Sequence, residues 1–424
     1  MSSESVVVVG AGLMGLCTAA ALHQRGYDVR VIERGPDVGL ETSFANGGML
    51  TPSMSEPWNA PGVQWQLLKW IGRADAPMLL RPEALGHYLD WGVRFLASST
   101  RVRYQAAIRA NFLLSAYSMQ TMRKLRAALD LHYCDARTGT LKIFRDQASL
   151  DASMKRGEAL KDLGLLCLHL TTDQILKRVP LLATKSATIV GGIYYPEDEV
   201  GDAHLFCQAL RSALMKRGVA IECGTTVTGF RTQGGGVVAV EIEGGEIAAR
   251  CVVVAASAWS PALLKPLGIK LPVRPVKGYS LSVRLSDPAL LPPLPIIDDD
   301  LHAAATPLGG MLRLAGTAEF CGWNARIDPA RIETLWRFLK SCSPELFDAA
   351  HPDDARSWCG FRPMAADGRP YIGETQIRGL YVNTGHGHLG WTQAAGSGAL
   401  MAAIIDGGHP PIATAPYSPL RSRA

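Results

Sequence analysis

The chain has 424 residues, 47% of them hydrophobic, which is enough for a large core and for more than one ordinary domain. Its charge is mixed, 43 Lys and Arg against 38 Asp and Glu for a formal net charge of +5, and without a long basic run a nucleic-acid partner is not expected. Nine cysteines are scattered with no CxxC spacing and an odd count, which argues against a disulfide framework or a zinc knuckle and for a reducing compartment.

The first apolar run, residues 6–9, is too short for a signal peptide or a membrane span, so a cytoplasmic protein is expected. Four valines in a row are what a strand buried on both faces requires. Gly10-Ala11-Gly12-Leu13-Met14-Gly15 follows, then an Ala- and Leu-rich helix that stops near Gly26, then a second strand over 28–32 that delivers Glu33. Each position has a physical reason. Gly10 permits the tight turn, Gly12 lets a pyrophosphate approach the backbone, and Gly15 lets helix and strand pack closely. The helix N-terminus offers N–H groups and partial positive charge to the phosphates. Glu33 can accept hydrogen bonds from a ribose diol and would repel a 2′-phosphate, which disfavours NADP. The motif alone does not separate NAD from FAD.

Residues 40–62, rich in Gly, Ser, Asn and Pro, read as a long functional loop. Residues 63–130 read as helices. Two apolar patches there, LLKWI (67–71) and YLDWGVRFL (88–96), are read as core, with contact to a bilayer surface, peripheral at the inner face of the membrane, as the alternative. TGTLKIFRD (138–146) is a strand. Glu197, Asp198, Glu199 and Asp202 resemble a metal cluster on paper. Asp202 reads instead as a helix cap and the rest as a solvated turn, so no metal is expected. The stretch 201–230 reads as a helix, a break at Gly218 and a strand. Residues 237–256 read as a hairpin turning at Gly244-Gly245 and then a buried strand. Ser260-Pro261 supplies an N-cap and a first-turn proline. Strands are expected over 273–285 and 311–320, and a helix from Asp328-Pro329 to about Leu339. In CGFRPMAADGRPYIG (359–373), Pro363 pushes Arg362 toward extended backbone and gives it a set direction, with a ligand or Asp367 as its target. The last element, 380–407, reads as strand, glycine turn and helix.

The simplest assembly is a mixed α/β and α+β fold of two interwoven domains. A Rossmann-like nucleotide domain takes 1–50, 145–262 and 355–424. A second domain, over 51–144 and 263–354, is built on a mainly antiparallel sheet plus helices, and the ligand lies where the two meet.

Beyond these patterns, TSFANGGMLTPS (42–53), YYPEDEVGDAHLF (194–206), RPVKGYSLSV (274–283), GFRPMAADGRPYIG (360–373) and NTGHGHLGWTQAAGSG (383–398) occur in an order that covers nearly the whole chain. In these the sequence resembles the FAD-dependent D-amino-acid dehydrogenases, within the wider group of glycine oxidase, sarcosine oxidase and D-amino-acid oxidase. The resemblance implies FAD as cofactor. Gly10, Gly12, Leu13, Met14, Gly15, Glu33 and Arg34 would hold its ADP half, and Thr42, Ser43, Ala45, Asn46, Gly47 and Gly48 would run along the pyrophosphate and flavin. Val227 would meet the adenine, and Ala255, Ala256 and Trp259 the middle of the cofactor. His386, Gly387, Leu389, Gly390, Trp391 and Thr392 would bring a helix N-terminus to the pyrimidine edge, where reduced flavin carries negative charge. His386 and His388 flank that turn and are expected to be structural. Arg362 would grip the substrate carboxylate, with Tyr279 as a second carboxylate ligand. Lys277 would face the flavin or cap the domain junction, the second being expected.

The implied reaction is oxidative deamination of a D-amino acid to a 2-oxo acid and ammonia, with no catalytic base required and electrons passed to a quinone or other carrier. A cyclic D-imino acid such as D-proline or D-hydroxyproline, a glycine- or sarcosine-type oxidase using oxygen, and a flavin-bearing subunit of a heteromeric complex remain alternatives. The oligomeric state is open.

Overall fold

The computed structural model of the chain describes residues 5–70, 76 and 78–423. It is built on two large sheets. The first has six strands in the order Tyr371–Glu374, Leu380–Thr384, Val252–Val254, Ser5–Val9, Asp28–Glu33 and Ala220–Cys223. All neighbours are parallel except the first pair. Val6, Val7 and Val8 are essentially inaccessible, because helices cover one face and a three-stranded antiparallel layer, Val227–Gln233 with Gly236–Ile242 and Gly245–Ala248, supports the other. This explains the unbroken valine run: a strand with no solvent face has no use for alternation.

Helix Leu13–His23 lies against helix Gly390–Ile405, which is in turn covered by the long helix Arg101–Leu129. Small residues make the sandwich thin. A Cβ on Gly398 would fall 2.5 Å from the Cys17 carbonyl carbon, and one on Gly396 would fall 2.7 Å from the Ser118 Cα. Ala110, Leu114, Met119 and Met122 of the long helix share one core with Leu16, Leu22, Phe206 and Met401.

The second sheet has nine strands and is mainly antiparallel. Its order is Arg356–Ala365, Val273–Val283, Met311–Phe320, Ala303–Leu308, Ile296–Asp298, Thr140–Phe144, Gly191–Tyr195 and Leu168–Leu170. Met78–Leu80 is added parallel to Met311–Phe320. The expected division of the chain does not follow the sheets. Leu168–Leu170, Gly191–Tyr195 and Arg356–Ala365 belong to this second sheet, although 145–262 and 355–424 were assigned to the nucleotide domain. Arg101–Leu129 packs on both, through Ala110, Leu114, Met119 and Met122 on the nucleotide side and through Ile108 and Phe112 against Phe144, Ile193 and Tyr195 of the second sheet, although 51–144 was assigned to one domain. Short strands and a long helix carry no label for the sheet they join, because pairing is decided by distant partners.

The helix at Asp202 is capped as expected, its carboxylate accepting from the His204 and Leu205 N–H groups, and Asp328 accepts from Ala330 at the start of Pro329–Cys342. Ser260 is not an N-cap: Trp259 holds that position, and Ser260 is the first helical residue with no capping bond. In YLDWGVRFL, Tyr88, Trp91 and Phe95 are core, whereas Leu89 and Val93 are 66% and 70% exposed. Of LLKWI, Ile71 lies outside the described residues.

Candidate active site

A continuous cavity of about 960 Å³ runs between the two sheets. That is at the upper end of ordinary small-molecule sites, roughly 300–1,000 Å³. One end is framed by Glu33, Thr225 and Val227, the other by Trp58, Arg362 and His388.

At the first end, backbone does the work. Gly10 has φ +104°, and a Cβ on Gly15 would fall 1.8 Å from the Gly10 carbonyl oxygen, so helix and strand meet only because both are glycine. A Cβ on Gly12 would meet nothing closer than Ser43 Oγ at 3.4 Å, which leaves an open approach to the backbone. Helix Leu13–His23 begins at Gly12 with no side-chain cap of its own, and Ser43 Oγ, from a distant loop, accepts from the Leu13 N–H at 3.3 Å. The Glu33 carboxylate is fixed at the strand end by the Ala11 and Gly35 N–H groups, at 2.7 and 2.8 Å. Each of its oxygens keeps a further lone pair for a hydroxyl donor. Arg34 stacks on Trp259 at 3.9 Å and pairs with Glu41. Met14, Ala255 and Ala256 line the wall between these groups.

The middle is walled by the 42–48 loop, whose polar groups are tied down from outside. Thr42 Oγ1 donates to the Phe361 carbonyl, Ser280 Oγ to the Ala45 carbonyl and Thr306 Oγ1 to the Gly47 carbonyl. Asn46 Oδ1 accepts from the Gly48 N–H, and Gly48 itself, at φ +69°, turns away from the cavity. A second helix N-terminus faces the cavity through Gly387 and Gly390, again with no side-chain cap. Trp391 is anchored by its indole N–H to the Gly201 carbonyl. Thr392 accepts from the Thr51 N–H, which fixes the loop opposite. Gly15, Leu389 and Thr392 are behind the wall, as supports. His386 bonds Ser397 through Nε2, and burial pushes its pKa down to about 3, while its Nδ1 is a buried atom without a partner. Two uncapped helix N-termini, an open glycine approach, a carboxylate at a strand end and an orphaned ring nitrogen on one elongated cavity fit FAD.

At the far end, side chains do the work. Arg362, extended as Pro363 requires, is partly buried in the cavity wall, and desolvation holds its pKa down at about 10. Its Nη1 donates to the Thr317 carbonyl at 3.2 Å, and among the described residues no carboxylate pairs with it. The alternative partner, Asp367, is taken by Arg369 and Arg421. The backbone around the guanidinium is shaped for it. Strand Val273–Val283 has a register break at Gly278/Tyr279, and Thr317 opposite has φ +59°, in the left-handed region. A Cβ on Gly278 would fall 2.0 Å from Arg362 Nη1, so the guanidinium occupies the space a side chain would need. Trp58 lies 5.9 Å from the guanidinium and stacks on His388.

Tyr279 corrects an expectation. It borders the cavity, but its hydroxyl donates to Glu319, and burial, then that bond, raises its pKa; it is not free to hold a carboxylate. Lys277 also binds Glu319, at 2.9 Å, and donates to the Asn324 and Arg326 carbonyls, away from the cavity. The acidic turn is a second correction. Asp198 and Glu199 are 2% and 1% exposed, not solvated. Glu199 meets Arg123 and Arg126, and Asp198 accepts from Ser53 and Thr140 while burial pushes its pKa up to about 7. Among the described residues no group of His, Cys, Asp and Glu is arranged to hold a metal. Trp58, Gly278, Thr317 and Met54 were not legible as site residues; each is a lone residue whose meaning comes from a distant neighbour.

Comparison with known proteins agrees with this geometry. A family described as FAD dependent oxidoreductase matches residues 5–404. The chain is 39% identical to a D-amino acid dehydrogenase of Vibrio vulnificus over 95% of both chains, and 39% identical to one of Methylobacterium nodulans over 96% of both. Among solved structures it is similar to glycine oxidase from Geobacillus kaustophilus, with TM-score 0.77, 23% identity and 98% of each chain covered. It is also similar to L-proline dehydrogenase from P. horikoshii, with TM-score 0.79, 19% identity and 99% and 98% covered. At those identities the two structures speak to the fold alone.

Proposed function

The chain belongs to the family of FAD-dependent oxidoreductases, and from that premise we propose that it oxidatively deaminates D-amino acids, yielding an imino acid that hydrolyses to a 2-oxo acid and ammonia, and passes the electrons to a quinone or another carrier. The observation that carries this reading is Arg362, a desolvated cation in the cavity wall whose hydrogen bond among the described residues goes to a carbonyl, with no carboxylate beside it. A buried charge without a counter-ion is costly, and a carboxylate in the cavity would relieve that cost. The planar guanidinium would hold it by two parallel bonds and so fix the α-carbon.

When bound, FAD supplies the two-electron acceptor. The rest falls to the chain. Gly12, Leu13 and Ser43 would receive the pyrophosphate, Glu33 a ribose, and the Gly387–Gly390 turn the pyrimidine edge. Thr317 and Gly278 keep Arg362 aimed, and the walls exclude water. The relatives named D-amino acid dehydrogenase support the substrate class.

Anaerobic titration with paired D- and L-amino acids tests the reading, followed by flavin absorbance. Bleaching by D-enantiomers, with reoxidation by a quinone analogue faster than by air, is expected. Reduction by L-enantiomers only would overturn it.

Among the described residues no helix is long and apolar enough to cross a membrane. For a membrane-borne carrier we place a peripheral seat on helix Leu85–Ala97. Leu85, Leu89 and Val93 share one exposed face there, and Arg103, bonded to the Ala97 carbonyl, adds positive charge for anionic headgroups. Co-sedimentation with anionic vesicles, lost in Leu89→Glu/Val93→Glu, is expected; wild-type protein that stays in the supernatant would remove the seat.

A further inference from the structure

We propose that His388 binds the substrate nitrogen: its Nδ1 accepts a hydrogen bond from the N–H of the amino acid whose carboxylate Arg362 holds. The proposal rests on the reading of Arg362 given above and adds the second point of attachment. Its ring stacks on Trp58 with centroids 5.6 Å apart and an interplanar angle of 18°, and Trp58 in turn lies 5.9 Å from the guanidinium. Arg362 and His388 therefore flank one end of the cavity, with the indole against both.

The hydrogen bonding fixes which nitrogen is which. His388 Nε2 lies 3.1 Å from the Met54 carbonyl oxygen, which can only accept, so Nε2 carries the hydrogen. Burial, with a smaller contribution from the Arg362 charge, pushes the pKa down to about 4, so the imidazole is neutral at pH 7. Nδ1 is then a bare lone pair. Among the described residues it has no hydrogen-bond partner, and His388 lines the cavity, so this is the ring nitrogen with a lone pair to offer a ligand there.

A lone pair beside a cation selects its ligand. It would repel a carboxylate and attract an N–H, and an α-amino acid carries both groups on one carbon. The choice of a neutral acceptor also matters for the chemistry. An aspartate at this position would pair with Arg362 and close the anion site, and it would stabilise the substrate as an ammonium. C–H cleavage needs the nitrogen lone pair free, so the chain orients the N–H without holding the extra proton. Primary and secondary amines both satisfy the contact.

The test compares two ligands that share a carboxylate and differ in nitrogen. Propionate is titrated against the flavin-loaded protein and its dissociation constant read from the flavin absorbance; the D-alanine constant is read from the concentration at which the rate of anaerobic flavin reduction saturates. His388→Phe keeps the stack on Trp58 and removes both ring nitrogens. It should weaken D-alanine about 10- to 100-fold, the size of leaving one buried donor without its acceptor, and leave propionate within about 2-fold. His388→Asn, which returns a carbonyl oxygen near the Nδ1 position, should recover much of the loss. Equal weakening of both ligands, or no change in either, overturns the proposal. So does an Asn variant no better than Phe. Should the Phe variant fail to fold, an Asn variant more than about 100-fold weaker for D-alanine than the wild type would count against it. Failure of the broader reading looks different: wild-type protein that binds propionate but is reduced by no D-amino acid.

Discussion

The two ends of the cavity are built in opposite ways. The nucleotide end is made of backbone, with Gly10, Gly12, Gly15 and the first turn of one helix contributed by six consecutive positions. The substrate end is made of side chains and single distortions from five distant segments, at Trp58, Gly278, Thr317, Arg362 and His388. A surface for phosphates can be local because every peptide has an N–H to offer. A surface for one small zwitterion needs opposed groups that no short segment can present.

That contrast can be broken experimentally, beginning at the nucleotide end. Gly15→Val should have the largest effect, because its Cβ would lie inside the Gly10 carbonyl. The purified protein should be colourless, with FAD affinity reduced at least ~100-fold or the fold lost, by absorbance and thermal melting. Arg362→Ala should do the reverse. FAD stays bound, while substrate binding weakens by about 2–5 kcal/mol in an anaerobic titration; unchanged saturation would remove Arg362 from its role. Gly278→Ala should resemble it more weakly, roughly 10-fold, with the added methyl displacing the guanidinium and FAD retained. A wild-type titration curve would show that the register break is only structural.

The smallest effect concerns Asp198. Its carboxyl titrates near 7 in the folded protein and near the ordinary 3.8 when unfolded. The folded state therefore binds the extra proton between those values, and stability should fall as pH rises from about 4 through 7 and then level. Asp198→Asn should flatten that slope in melts between pH 5 and 8. A variant with the wild-type slope would mean that other groups set it.

The same contrast explains what was legible in the sequence. Residues 6–33 declare strand, turn and helix within thirty positions, and their glycines have one steric reading. Arg362 was legible because Pro363 fixes its backbone and the surrounding segment has a family pattern. Tyr279 was misread because Glu319, its actual partner, is 40 residues away and looks like any strand glutamate. Asp198 and Glu199 resembled a solvated turn because their partners are far away: Ser53 and Thr140 for Asp198, and Arg123 and Arg126, on a helix more than 70 residues upstream, for Glu199. Sheet membership departs from the expected division for the same reason, since short strands choose their sheet by long-range pairing.

The strand that carries Arg362 ends at Ala365, and six residues later the chain has become the edge of the parallel sheet. The proposed substrate clamp and the proposed cofactor cradle are thus consecutive links of one polypeptide, and the five residues between them limit how far apart they can lie. Any movement of one half against the other has to turn, at this point, about a link of five residues. Shortening the 366–370 turn by one residue should misalign the two halves of the reaction while leaving each able to bind its own ligand.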